Sequence, residues 1–102
     1  MDMKAMMRKA QKMQADLAKA QDEIKEMSAE ATAGGGMVAV VAKGDMTIQS
    51  ITIQKEAVDP EDVELLQDMV TAAVNEALRA VSAQAAQRMS SATGGINIPG
   101  LT

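Results

Sequence analysis

The sequence predicts an α+β chain: a long helix, a three-stranded antiparallel sheet and a second long helix. Three features predict it. An unbroken seven-residue apolar repeat opens the chain, three short apolar segments separated by turn signals follow, and a second apolar run at helical spacing occupies the last part.

Met3, Met6, Ala10, Met13, Leu17, Ala20, Ile24 and Met27 are spaced alternately three and four residues apart. That is an a/d seam, the pattern of a helix that packs on another helix. No Gly or Pro interrupts it, and its ~25 residues would run roughly 38 Å, too far for a small sheet to cover. Ser28–Ala33 alternates small apolar with polar residues and reads as a strand; Gly34-Gly35-Gly36 then breaks the chain as a hairpin loop. Met37–Lys43 is apolar on both faces, a strand buried on two sides, and Lys43-Gly44-Asp45 is the next turn. In Met46–Gln54 the pattern changes phase: Met46 and Ile48 share one face, Ile51 and Ile53 the other. Either a bulge near Gln49-Ser50 restores the phase, or the two halves bury opposite faces.

Asp59-Pro60-Glu61-Asp62 reads as a helix start, with Asp59 as N-cap and Pro60 at the first helical position. Val63, Leu66, Val70, Val74, Ala77 and Val81 then mark an apolar face, and the helix is expected to reach about Met89. Residues 1–89 thus read as one domain, and 90–102, with Gly, Ser and Pro, as a flexible C-terminal tail.

Composition narrows the function classes. The chain has 102 residues and no His, Cys, Trp, Tyr or Phe. Zinc sites, thiol chemistry and histidine-based triads therefore lack their residues, and no cofactor or metal is expected. Aromatic base stacking is missing too. The acids Asp59, Glu61, Asp62 and Glu64 lack a calcium-loop glycine and read as helix capping, and Gly34–Gly36 fits no phosphate-binding fingerprint. The expectation is a protein that is not an enzyme and takes no small-molecule substrate. No apolar run is long enough to span a membrane, no secretory signal is visible, and the absence of cysteine suits the cytoplasm. Ten methionines in place of aromatics suggest a soft core, or an adaptable binding face.

Charge is sorted along the chain. Residues 1–15 and 77–102 hold Lys4, Arg8, Lys9, Lys12, Arg79 and Arg88 against the single acid Asp2, whereas residues 16–76 hold four lysines against thirteen acids. If the two helices lie antiparallel, the start of the first and the end of the second share one tip, and the basic ends meet there. Lys4, Arg8 and Lys12 fall at the outward positions b, f and c of the repeat, with Lys9 at g. Lys4, Arg8 and Lys9 have no acid three or four residues away, while Lys12 has Asp16. Such a row is either a solvated helix face or a phosphate-binding surface. The six end residues, Lys4, Arg8, Lys9, Lys12, Arg79 and Arg88, are the candidate DNA-binding set. The two-faced strand Met37–Lys43 calls separately for a symmetric dimer that joins two sheets.

The segments Ala10-Gln11-Lys12-Met13-Gln14, Ala33-Gly34-Gly35-Gly36-Met37-Val38, Pro60-Glu61-Asp62-Val63-Glu64-Leu65-Leu66, Ala72-Ala73-Val74-Asn75-Glu76-Ala77-Leu78 and Thr93-Gly94-Gly95-Ile96-Asn97-Ile98-Pro99-Gly100-Leu101 resemble, in order, the bacterial YbaB/EbfC nucleoid-associated proteins. The resemblance implies a tweezers-like homodimer whose helical arms project from joined sheets. It implies binding of double-stranded DNA in the cytoplasm and nucleoid, with consequences for DNA conformation and gene expression. It carries over an arm location and no fixed set of DNA-binding residues. Without aromatics or an evident recognition helix, backbone and shape readout with weak sequence preference is expected. The rival reading is a protein-binding, chaperone-like helical clasp that does not bind DNA; three strands and basic tips speak against it. A membrane-surface helix is weaker still, because the apolar face lacks Trp and Phe.

Overall fold

A computed structural model describes residues 2–94. The order is α1 (Met3–Glu26), β1 (Ser28–Ala33), β2 (Val38–Lys43), β3 (Ile48–Ile53), a short 3-10 turn (Lys55–Ala57) and α2 (Val63–Ala92). The predicted fold class holds for the chain, which measures 72 × 21 × 17 Å. Of the predicted tail, Ser90–Ala92 continue α2, and residues 95–102 lie outside the described residues.

The Asp2 carboxylate caps α1 by accepting from the Lys4 amide at 3.0 Å. At its other end, the Gly44 amide donates to the Met27 carbonyl at 2.9 Å, fastening the helix end to the β2–β3 turn. The contact is so close that a Cβ on Gly44 would run into the Ile24 carbonyl oxygen, so only glycine fits.

The sheet is antiparallel in the order β1-β2-β3. The first hairpin turns on Gly34, Gly35 and Gly36, all at positive φ. On β3, Ser50 pairs with Val41 but Ile48 pairs with Ala42, so Gln49 is an extra residue. The bulge is the first of the two sequence alternatives. It puts Ile48, Ile51 and Ile53 opposite Ala42, Val40 and Val38, all on one face. Met46 lies in the turn instead of the strand, at φ 67.

Helix α2 begins later than predicted. Asp59 accepts from the Glu61 amide, and its carbonyl accepts from the Asp62 amide, both at 2.9 Å, closing a turn around Pro60. Asp62 is the actual N-cap, accepting from the Leu65 amide at 3.2 Å. Two aspartates compete for one cap, and the proline turn takes the first. At the far end nothing stops the helix until Thr93 caps it and Gly94 turns at φ 66.

The core is Ala29, Ala31, Val38, Val40 and Ala42 of the sheet against Ala73, Ala77 and Val81 of α2. The largest fully buried side chains are valines, so helix and sheet approach closely. The expected methionine core is therefore corrected. Among the described residues no methionine is buried; Met27 and Met69 edge the core, and Met3, Met6, Met7, Met13 and Met46 are exposed. Helix α2 packs on β1 and β2 and leaves β3 beyond its edge. The second face of β2 is also not as expected. Ala39 and Val41 are half-buried between Thr32, Thr52, Glu30 and Ser50, a mostly polar surface. The uncovered apolar surface is instead the row Ile48, Ile51 and Ile53, all exposed.

Candidate nucleic-acid interface

Helix α2 runs from the first hairpin, where Met69 lies against Gly34, to the second, where Leu78–Ala86 flank Met46. Helix α1 reaches the sheet at that same second hairpin, so the helices are antiparallel. They are nevertheless unequal arms. The part of α2 up to Val81 lies on the sheet, and only its last eleven residues, about 16 Å, extend beyond it. The whole of α1, about 36 Å, projects.

The seam of α1 records this. Ala20 is 0% exposed, whereas Met13, Met6 and Met3 are 36%, 50% and 70% exposed. The seam thus becomes steadily more exposed toward the N-terminus of α1. The junction is locked by an ion pair, Arg88 Nε to Glu23 Oε2 at 2.5 Å. That hydrogen bond holds the Glu23 carboxyl below its ordinary value and raises Arg88, which Asp16 also supports.

Lys4, Arg8, Lys9 and Lys12 stand exposed on the free part of α1 and make no ion pair among the described residues. Lys4, Arg8 and Lys12 form an i, i+4, i+8 ridge with successive cations about 6 Å apart along the axis. Lys12 is not bridged to Asp16.

Arg79 and Arg88 do not join them. Arg88 sits beside Glu23, about 29 Å along α1 from Lys4. Arg79 is paired with Glu76 at 2.9 Å and lines a shallow depression with Met46, Leu78 and Ala83 beside the sheet. The expectation that both basic ends meet at one tip is thus corrected, because α2 spends most of its length crossing the sheet. The Glu76–Arg79 spacing was a readable sign of an in-helix pair. The Glu23–Arg88 contact spans 65 positions and had no local sign.

The family model described as the YbaB/EbfC DNA-binding family matches residues 1–96. The chain belongs to that family. It is 52% identical over 100 residues to a nucleoid-associated protein of Pelotomaculum thermopropionicum, covering 98% of this chain and 95% of the relative. A nucleoid-associated protein of Desulforamulus reducens is 55% identical, again over 98% and 95% of the two chains. Among solved structures, uncharacterized protein HP0035 from Helicobacter pylori superposes with a TM-score of 0.65 at 24% identity, over 82% of this chain and 88% of that one, and shows the fold. The YbaB/EbfC family is a DNA-binding family and not a family of enzymes.

Proposed function

We propose that this YbaB/EbfC chain binds duplex DNA through the α1 arm, with Lys4, Arg8 and Lys12 contacting successive phosphates and Lys9 flanking them. The observation that carries the reading is the run of Lys4, Arg8, Lys9 and Lys12, exposed and without an ion pair among the described residues, on the part of α1 that projects away from an acidic body. Clustered charge of this kind acts locally even though the chain's net charge is −4. Arg79 and Arg88 are the weaker part of the candidate set, since each already holds a carboxylate.

The ridge offers charge and no evident base-reading pattern, which supports backbone and shape readout with weak sequence preference and an influence on DNA conformation. The relatives' name, nucleoid-associated protein, supports placement in the nucleoid of the bacterial cytoplasm. The exposed row Ile48, Ile51 and Ile53 supports a homodimer in which a second copy covers β3, so that two arms act on one duplex.

The test is fluorescence anisotropy with a random duplex at low salt. Reversing Lys4, Arg8 and Lys9 to Glu is expected to abolish binding with an unchanged circular dichroism spectrum. Reversing Lys43 and Lys55, at the sheet, is expected to change it little. A larger effect from the second pair would refute the arm.

A further inference from the structure

On the projecting part of α1 the seam mixes large and small side chains, and one flank of it carries both signs of charge. Met6 and Met13 are large and exposed, Ala10 is small and exposed, and Leu17 is half-buried. Lys9 and Asp16 occupy the same flanking position g in successive repeats, and neither makes an ion pair among the described residues. The other flank holds Met7 and Gln14, which carry no charge.

We propose that the α1 arms of two copies of this chain pair antiparallel along the seam, with Lys9 of each beside Asp16 of the other. In that register Ala10 faces the second copy's Met13 and Met6 faces its Leu17, each twice by symmetry, so a large side chain meets a small one at the centre of the overlap. Lys9 then lies about 3 Å along the axis from the second copy's Asp16. Helical side chains lean toward their own N-terminus, so in an antiparallel pair these two lean toward each other. The neighbouring registers lack this match. One repeat nearer the tips, Lys9 meets Lys9; one repeat nearer the sheets, the pair needs Ala20, which is already 0% exposed. A parallel pair would stack Ala10 on Ala10 and set two acidic bodies side by side.

The overlap from Met6 to Leu17 is about 18 Å long, and four such layers bury far less than the ~1,200 Å² of a stable interface. The pairing is therefore weak and forms where chains are concentrated. Lys4, Arg8 and Lys12 stand at the outward positions of the repeat, farther apart across the pair than the ~10 Å screening length. They stay free, so the inference does not depend on what the ridge binds.

The chain has no cysteine, so Met3→Cys gives a single site for a nitroxide label on the full-length protein. Labelled chain is mixed with isotope-labelled, nitroxide-free chain at about 0.5 mM, a concentration suited to a weak contact, and without DNA. Position 3 of one copy falls level with Ala20 of the other, so amide signals of residues 17–23 are expected to lose about twice as much intensity as those of residues 3–9, or more. Lys9→Glu in both chains turns two attractive contacts into repulsive ones and is expected to weaken the pairing about tenfold, restoring those signals. Arg8→Glu makes the same charge change at an outward position and is expected to leave the loss in place. Absence of the loss in the parent mixture would leave the seam to another occupant and overturn the proposal. So would a loss greatest at residues 3–9, the mark of a parallel pair, or one that survives Lys9→Glu or vanishes equally with Arg8→Glu. With no DNA present, none of these failures touches the reading of the arm as a DNA-binding surface.

Discussion

The two halves of α1 carry the same seven-residue repeat and meet opposite fates. From Leu17 to Met27 the seam packs on the end of α2 and is pinned to the sheet through Gly44 and the Glu23–Arg88 pair. From Met3 to Met13 the same pattern faces outward on a projecting arm. The repeat encodes a surface suited to packing; what lies against it depends on where the rest of the chain runs. The basic ridge occurs only on the half that α2 does not reach, and that coincidence makes the arm a candidate interface.

Substitution separates the halves most sharply. Ala20→Asp places a carboxylate at a fully buried position between helices and is expected to cost about 3 kcal/mol or more in urea unfolding. Ala10→Asp, at a seam position on the exposed half, is expected to change stability by only about 0.5 kcal/mol. Similar costs at both sites would mean that the arm is packed along its whole length.

Gly44→Ala attacks the anchor instead of the seam. Its Cβ collides with backbone, which cannot swing aside as a flexible side chain can, so the end of α1 must shift. A loss of about 2 kcal/mol is expected, of the size of other overpacking changes. Near-neutral unfolding would show that the helix end is not held where the structure places it.

Much of this architecture was readable in the sequence because it rests on local patterns. The heptad spacing marked α1, the triple glycine marked the first hairpin, and the mixed phase of Met46–Gln54 announced the bulge at Gln49. The start of α2 was misplaced because Asp59 and Asp62 offer the same local capping chemistry, and only the turn around Pro60 decides between them. The path of α2 was not readable at all. Nothing local says that its first two-thirds cross the sheet, and that single fact moves Arg88 away from Lys4, leaves half the seam bare and leaves the β3 isoleucines uncovered. In the candidate set, the four residues of one helix could be grouped from spacing; the two from the other helix could not.

Salt dependence sharpens the comparison between the arm's cations and the two arginines. If about four phosphates are neutralised per bound dimer, log K against log[salt] has a slope near about −3.6, and going from 50 to 200 mM salt weakens binding roughly 150-fold. Removing one true contact from each of the two arms, for example by Arg8→Gln, is expected to reduce the slope by about 1.8. Arg88→Gln is expected to leave the slope unchanged, because that guanidinium is committed to Glu23. A reduced slope for Arg88→Gln would put it on the DNA. A scrambled duplex bound a hundredfold worse would mean that base readout dominates.

The smallest expected effect concerns the junction between the halves. Arg88 holds the Glu23 carboxyl below its ordinary value of 4.5, chiefly through the side-chain hydrogen bond. A carboxylate whose folded pKa is depressed stabilises the fold above its unfolded pKa, and that contribution disappears as pH falls through the folded value. Arg88→Gln is therefore expected to be less stable than the parent at neutral pH, with the gap closing as the medium is acidified below about 4.5. Both groups are solvent-accessible, so screening by salt should narrow the gap at neutral pH as well. Urea unfolding at pH 7 and at pH 3, each at low and high salt, reads all four conditions. A gap that ignores both pH and salt would mean that Arg88 supports the arm only through the packing of its aliphatic stem on α1, and that the charge contributes nothing to holding the two helices together.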